Sequence, residues 1–431
     1  MVARALNRMP PLAAVTVLFV GLTLPQALLG LPIAAAAIGP LPALGILVGM
    51  GAVMTIAAAA EAEAIARDRG LRTGGFFGRL VRDYLGARGG TVPDVLAGVR
   101  TSLSVIGAYV GLCLTLAALT GLPRVLWGGL AAGALAVLLL RGGLRISAWV
   151  GALLGIACLP LLAAIAVVAI LVPGSGDLGR VDLSAAGVGE VLGLSVMLYI
   201  ANVYVLEIAR EDLGVDPDGR ALVRGSALGT IVLTAIAAGW LLAASAAVHP
   251  SALHGEDGTV LGPLADRAGT VVAVLGTVAT ILLLGLGIER TAVAIMRLVA
   301  ERVPGRAAAI GAPLALCAIG ELLMAADLVS FSGVFRLAGV ATNVVLALAL
   351  PMLLLAAARR LGGVEPGAEV PVFGTPAGVA TLVALAFALL AGFATVLAPD
   401  AATRGAGIVG LVALAAVLAV RRVRAAVAAR P

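Results

Sequence analysis

Long apolar runs separated by short polar gaps fill the chain from about residue 11 to residue 422. A membrane-spanning helix needs roughly 20 consecutive apolar residues. By that measure the runs predict spans over residues 11–37, 42–66, 94–120, 125–140, 146–172, 187–211, 221–248, 268–299, 305–326, 329–358, 375–398 and 405–422, numbered 1 to 12 below. The fourth is the shortest. Between spans 2 and 3, "TGGFFGRLVRDYLGARGG" puts Phe76, Phe77, Leu80, Val81 and Leu85 on one helical face. That is the pattern of an amphipathic helix lying in the membrane interface.

Composition agrees with a membrane-embedded bundle. Hydrophobic residues make up 61% of the 431 and charged residues 12%, with a mean hydropathy of +1.14. A soluble domain is nearer half apolar and a quarter charged. The 56 glycines permit the close helix–helix approach that lipid-embedded bundles use. Cys113, Cys158 and Cys317 all lie within apolar runs, at spacings that fit neither a disulfide framework nor a zinc site.

Charge placement predicts orientation. All 29 basic residues are arginine. Twenty-four of them fall in the N-terminal segment, in the even-numbered gaps and the span ends that flank them, and in the C-terminal tail. Four, Arg124, Arg180, Arg267 and Arg404, fall in odd-numbered gaps, and Arg336 stays inside span 10. Cytoplasmic loops carry the positive excess, so both termini are expected in the cytoplasm of a multi-pass inner (cytoplasmic) membrane protein. Arg4 and Arg8 precede span 1, and further membrane follows it, so span 1 is expected to be uncleaved. The basic excess is spread over membrane-flanking loops rather than one face, which points away from nucleic acid.

Two spans carry polar residues at mid-depth. "GLTLPQALLGLPIAAAAIG" (residues 21–39) sets Pro25, Gln26, Gly30 and Pro32 inside span 1. Pro25 removes a backbone donor and clashes with the carbonyl of Gly21. Pro32 fits the first position of a second half-helix. An interrupted helix survives in a bilayer only where protein or a water-filled cavity satisfies its backbone. Many transporters place such breaks at their substrate site. The same residues also fit a proline kink packed by its neighbours. In span 6, "LYIANVY" groups Tyr199, Asn202 and Tyr204, three side chains that donate and accept. They fit either a substrate site or a structural hydrogen bond between helices.

With these motifs in view, the chain resembles the amino acid–polyamine–organocation superfamily, nearest its amino-acid/auxin or aromatic amino acid permease branches. "LGLPIAAAAIG" resembles the first-helix pattern of a small residue, Leu-Pro, then Gly. Glu61 and Glu63 close span 2, where that family often has an acid. "FFGRLVRDYLGARGG" resembles its segment before helix 3, and "EIAREDLGVDPDGRALVRGSALGTIV" its passage from helix 6 to helix 7. The resemblance implies an all-α polytopic membrane protein of leucine-transporter-like fold in a single transporter domain. Residues 11–172 and 187–358 would form inverted repeats of five helices, and residues 375–422 two additional helices. Spans 1 and 6 would be broken at the substrate site, and spans 3, 8 and 10 would line it. The implied substrate contacts are Leu24, Pro25, Gln26, Ala27, Leu28, Tyr109, Tyr199, Ala201, Asn202 and Tyr204. One departure matters: the family usually has a glycine-rich break whose N–H groups bind a substrate carboxylate. Here Pro25, Gln26 and Ala27 stand there, and only the Gln26 side chain can supply the missing donor.

Charged residues inside a membrane are functional candidates. Arg336, in the outer half of span 10, is expected to pair with Glu321 or Asp327, to bind a substrate carboxylate, or to snorkel to water. Glu207 in span 6 and the Glu289–Arg290 pair in span 8 are candidates for the inner gate or for structural ion pairs. Sodium-coupled relatives use neighbouring hydroxyls on helix 8, which Thr277 and Thr280 match in part. Some proton-coupled relatives use a helix-5 lysine, and this chain has no lysine. That lysine device is excluded, but Glu207 or Glu289 could carry a proton, and the sodium hydroxyls match only in part, so proton coupling or exchange is preferred to sodium.

His249 and His254 sit in the long gap between spans 7 and 8, at no metal-ligand spacing. No constellation of nucleophile, base and acid is present, so an enzyme is not expected, and no cofactor is implied. The expected function is a permease for an amino acid or related amine, with a coupling proton or sodium ion and membrane lipid as its other partners. Two alternatives stay open: a transport-inactive binding or regulatory protein of the same fold, and an anion permease of sulfate-permease type.

Overall fold

The computed structural model describes residues 9–23, 26–68, 77–141, 148–172, 176–199, 205, 208, 209, 212–300, 303 and 305–420. Span 1 becomes two limbs. Helix α1 (Pro11–Thr23) is followed by a 3₁₀ turn (Gln26–Gly30) and by α2 (Leu31–Ala35), and the limbs are bent by 57°. Leu31 rather than Pro32 opens α2, with Gly30 as its N-cap. Pro32 takes the second position, where its missing N–H is also an orphan of the helix start. Helix α3 (Pro40–Ala66) is span 2, and α4 (Phe77–Leu85) is the amphipathic helix, whose Leu80, Val81 and Leu85 are buried in the protein core rather than left for a membrane interface. Phe76 lies outside the described residues.

The remaining elements are α5 (Ala87–Thr120), α6 (Arg124–Leu140), α7 (Ala148–Leu171), α8 (Ala185–Leu198), α9 (Arg220–Ala247), and the short α10 (Pro250–Leu253) and α11 (Leu261–Ala268). Helix α12 (Thr270–Ala300) contains a π turn at Ile281–Gly285. Helix α13 (Arg306–Ala325) precedes α14 (Phe331–Leu361), whose middle, Gly339–Ala349, is wound as a π-helix. Helices α15 (Pro376–Thr395) and α16 (Ala401–Ala419) follow. Among the described residues, nine helices are long and apolar enough to cross a membrane, ten with the bent pair of span 1. Spans 4 and 6 hold shorter apolar helices of 17 and 14 residues.

Helix α9 runs along α3 and α1, and α1 lies on α7. Helix α5 packs against α12, α13 and α14, and α14 is enclosed nearly along its whole length. Large apolar residues such as Val125, Ile170, Leu171 and Leu322 remain exposed on the outer helices, as lipid-facing positions would. Small residues set the closest approach. A Cβ on Gly155 of α7 would overlap the carbonyl of Gly21 on α1, and a Cβ on Gly21 would overlap that of Ala152. Here α1 and α7 meet backbone to backbone beside the break.

Candidate functional site

The break in span 1 leaves the last carbonyls of α1 without intrahelical partners. Arg290, from the C-terminal half of α12, donates through Nη1 to the carbonyl of Leu22 at 3.4 Å. A guanidinium at a helix C-terminus also meets the negative end of the helix dipole. Gln26 begins the 3₁₀ turn, half-buried, with its side-chain amide against Gly287 of α12. A Cβ at Gly287 would fall on that amide. Gly21, Gln26, Cys158, Leu283, Gly287 and Arg290 border a small cavity of about 40 Å³. The π turn of α12 lies at its wall. Just before that turn, Thr280 Oγ1 is buried without a partner, whereas Thr277 bonds the carbonyl of Ala273 on its own helix. Ala27 and Leu28 are buried in the protein core, and Leu24 and Pro25 lie outside the described residues.

A second break faces the first. Helix α8 stops at Leu198, and Tyr199 leaves helical geometry (φ −106°, ψ 76°) with no Gly or Pro nearby to force it. Two tertiary contacts hold it. Asn343, fully buried in the π segment of α14, donates through Nδ2 to the carbonyl of Val196 at 3.5 Å. The Tyr199 hydroxyl bonds Thr234 Oγ1 of α9 at 2.8 Å. Asn343 Oδ1 is left buried without a partner. The 3₁₀ turn of span 1 packs on α8, and Phe331 at the start of α14 closes over Gly30 and over Gly111 of α5. Spans 1, 3, 6 and 10 therefore converge between the two breaks. Ala201, Asn202, Tyr204 and Glu207 lie outside the described residues.

Tyr109 sits on the side of α5 that faces α6 and α13, and its hydroxyl donates to Glu321 Oε2 of α13 at 3.2 Å. Glu289 is buried on α12, next in sequence to Arg290.

Arg336 differs from expectation in its partners. It pairs with neither Glu321 nor Asp327; Asp327 lies 3.9 Å from Arg124 instead. Arg336 Nη1 donates to Glu190 of α8 at 3.3 Å, Nε to Thr403 Oγ1 at 3.1 Å, and Nη2 to Asp400. The reason is helix direction: its position on α14 points it towards α8 and the start of α16, away from α13. Asp400, the N-cap of α16, is held below the ordinary carboxylate range. Burial opposes this shift, but the Thr403 N–H, Arg336 and the Thr403 hydroxyl outweigh it. The Arg336 cluster borders a wider cavity of about 470 Å³, also lined by Arg180, Asp182, His254, Glu256 and Asp257. At the other end of the bundle, in the turn after span 6, burial and the neighbouring Asp216 push Asp212 up to about 7, against a backbone hydrogen bond from Leu222.

Asn343 was not among the residues singled out by pattern, though a count would have found it. The chain has one glutamine and three asparagines, and Gln26, Asn202 and Asn343 are the amides within spans.

No family model matches the chain, and no curated protein matches it. Solved structures match over nearly its full length. A manganese transporter from Eremococcus coleocola, in complex with an aromatic bis-isothiourea substituted compound, is 15% identical and has a TM-score of 0.58. That match covers 96% of this chain and 94% of the transporter. Mhp1, a nucleobase-cation-symport-1 family transporter in a closed conformation with bromovinylhydantoin bound, is 14% identical over 96% of this chain and 92% of its own, with a TM-score of 0.57. Mhp1 in its inward-facing conformation gives 15%, 98%, 95% and 0.58. The chain has the fold of these proteins, the all-α leucine-transporter-like architecture.

Proposed function

We propose that the chain is a secondary transporter of an amino acid or related amine, working by alternating access across the cytoplasmic membrane with both termini in the cytoplasm. On this reading it belongs with the amino acid–polyamine–organocation transporters, nearest the amino-acid/auxin or aromatic amino acid permeases. The observation that carries it is the pair of facing helix breaks, at Gln26–Gly30 and at Leu198–Tyr199. Freed backbone groups at paired breaks are the device by which transporters of this fold hold solutes. Gln26, Tyr199 and Asn343 bring side-chain donors and acceptors to the same region, and Asn202 follows Tyr199 in sequence. Leu24, Pro25, Ala27, Leu28, Tyr109, Ala201 and Tyr204 complete the proposed contacts. Glu207, Thr277, Thr280, Glu289 and Arg336 serve gating or coupling.

Coupling to protons, or exchange, fits better than sodium. A cation bound at the end of α1 would use its freed carbonyls, and Arg290 already donates to that of Leu22.

One observation favours a second substrate class. Pro25 has no N–H to offer a carboxylate, while Gln26 and Asn343 are amides that can pair with the donor–acceptor edge of a cyclic amide. Such an edge occurs in a hydantoin, the class bound by the neighbour Mhp1.

The test is thermal stabilisation of the purified protein against amino acids, amines, nucleobases and hydantoins. A hit should be weakened at least tenfold by Gln26→Ala and by Asn202→Ala. Binding of that hit by both variants with unchanged affinity would place the site elsewhere. Uptake of the hit into reconstituted vesicles separates a transporter from a binding protein of the same fold.

A further inference from the structure

Glu61, near the C-terminal end of α3, is wholly buried, and neither of its carboxyl oxygens has a hydrogen-bond partner. Glu63, on the same helix end and equally buried, is built differently. It accepts from Arg67 Nε at 2.9 Å, from Arg359 Nε and Nη2 at 2.8 and 2.9 Å, and from the Val370 N–H at 2.6 Å. Glu63 is thus a satisfied structural carboxylate. An ionised carboxylate in the Glu61 position would be buried with no donor, an arrangement that is strongly disfavoured. With its proton on, the same group is neutral and tolerable there.

Among the described residues, the charge that acts on Glu61 is that of Arg100 on α5, itself buried and not hydrogen-bonded to Glu61. Glu63, Arg67 and Arg359 are committed to one another. Arg220 and Arg224 of α9 and Arg360 of α14, both helices packed along α3, are exposed. Helix α8 carries its acid, Glu190, on Arg336 at the far end.

We propose that Glu61 is the site at which this protein binds its coupling proton, with Arg100 as the charge it meets when the proton leaves. The proposal rests on the transporter reading above. On release, the O–H bond breaks, its electron pair stays on the carboxylate, and the proton passes to water. The anion gains stabilisation by drawing closer to Arg100, which moves α3 relative to α5. Proton binding therefore favours one arrangement of these helices over the other, the differential interaction that a conformational shift requires.

Infrared spectroscopy of the purified protein reads the proton without any substrate. The wild type should show a protonated-carboxyl carbonyl band that shifts in D₂O, bleaches as pH rises, and is missing from Glu61→Gln. Should Glu61→Gln not fold, Glu61→Asp keeps the acid and should move the band instead. Spectra unchanged by either variant would overturn the proposal. In vesicles loaded with a pH gradient and given a mixture of radiolabelled L-amino acids, Glu61→Gln should lose gradient-driven accumulation at least tenfold while keeping counterflow. Full accumulation by Glu61→Gln would overturn the coupling role. Absence of any uptake by the wild type would instead remove the amino-acid reading and call for the same assay with hydantoins and nucleobases; absence of uptake of these too would remove the transporter reading, while the infrared result would still decide whether Glu61 holds a proton.

Discussion

At Gly287 a Cβ would land on the Gln26 amide, so the smallest possible side chain tests how closely span 1 and α12 meet. Gly287→Ala should destabilise the protein by about 1–3 kcal/mol, the usual cost of overpacking. Gln26→Ala should remove most of that cost, because it empties the space the new methyl needs. Contacting residues couple in this way, and distant ones add. Thermal unfolding of the two single variants and the double variant in detergent measures the coupling; strictly additive shifts would deny the contact. Gln26 was legible in the sequence as the lone glutamine beside a proline in an apolar run. Asn343 is just as rare, but nothing around it marks a break. Its role comes from its contact with α8, which no local pattern encodes.

The same contrast governs the elements. The interruption of span 1 is written locally, in Pro25, Gly30 and Pro32, and the amphipathic α4 in the spacing of Leu80, Val81 and Leu85. The end of α8 is not written in this way, since Leu198 and Tyr199 have helix-compatible neighbours. What stops the helix there is tertiary: Asn343 takes the Val196 carbonyl, and Thr234 takes the Tyr199 hydroxyl. The π winding of α14 brings Asn343 to that end. Asn343→Leu keeps the branched shape and removes the donor. It should cost about 1–3 kcal/mol, the penalty for stranding a buried polar group, and should abolish substrate binding. Thr342→Val, next to it, is the control. The Thr342 hydroxyl bonds Ala338 on its own helix, so its loss should shift the melting temperature little. Equal melting shifts from the two variants would mean that Asn343 does not hold the break.

Across the whole molecule, α14 is held by an arginine near each end. Arg359 ties it to Glu63 of α3, wholly buried, and to the Val370 and Gly374 carbonyls of the following loop. Arg336 ties it to Glu190 of α8 and Asp400 at the head of α16, whose side chains are 32% and 43% exposed. The sequence marked Arg336 as a charge inside a span but could not choose its partners, because these lie 146 and 64 residues away. The two ties should differ in strength because they differ in burial. Glu63→Gln leaves Arg67 and Arg359 without a buried counter-charge and should cost about 3–5 kcal/mol. Asp400→Asn should cost at most about 1 kcal/mol, since water screens that pair. Its pH dependence has a definite sign. The folded-state value of Asp400 lies below its unfolded value of about 3.9, so its contribution is present above that pH. The contribution is lost as pH falls through the folded value. Melting curves of wild type and Asp400→Asn should therefore differ by a constant amount from pH 7 to about 5 and converge at lower pH. A gap that widened towards acid pH would mean that the carboxylate of Asp400 is not what holds Arg336 at that end of α14.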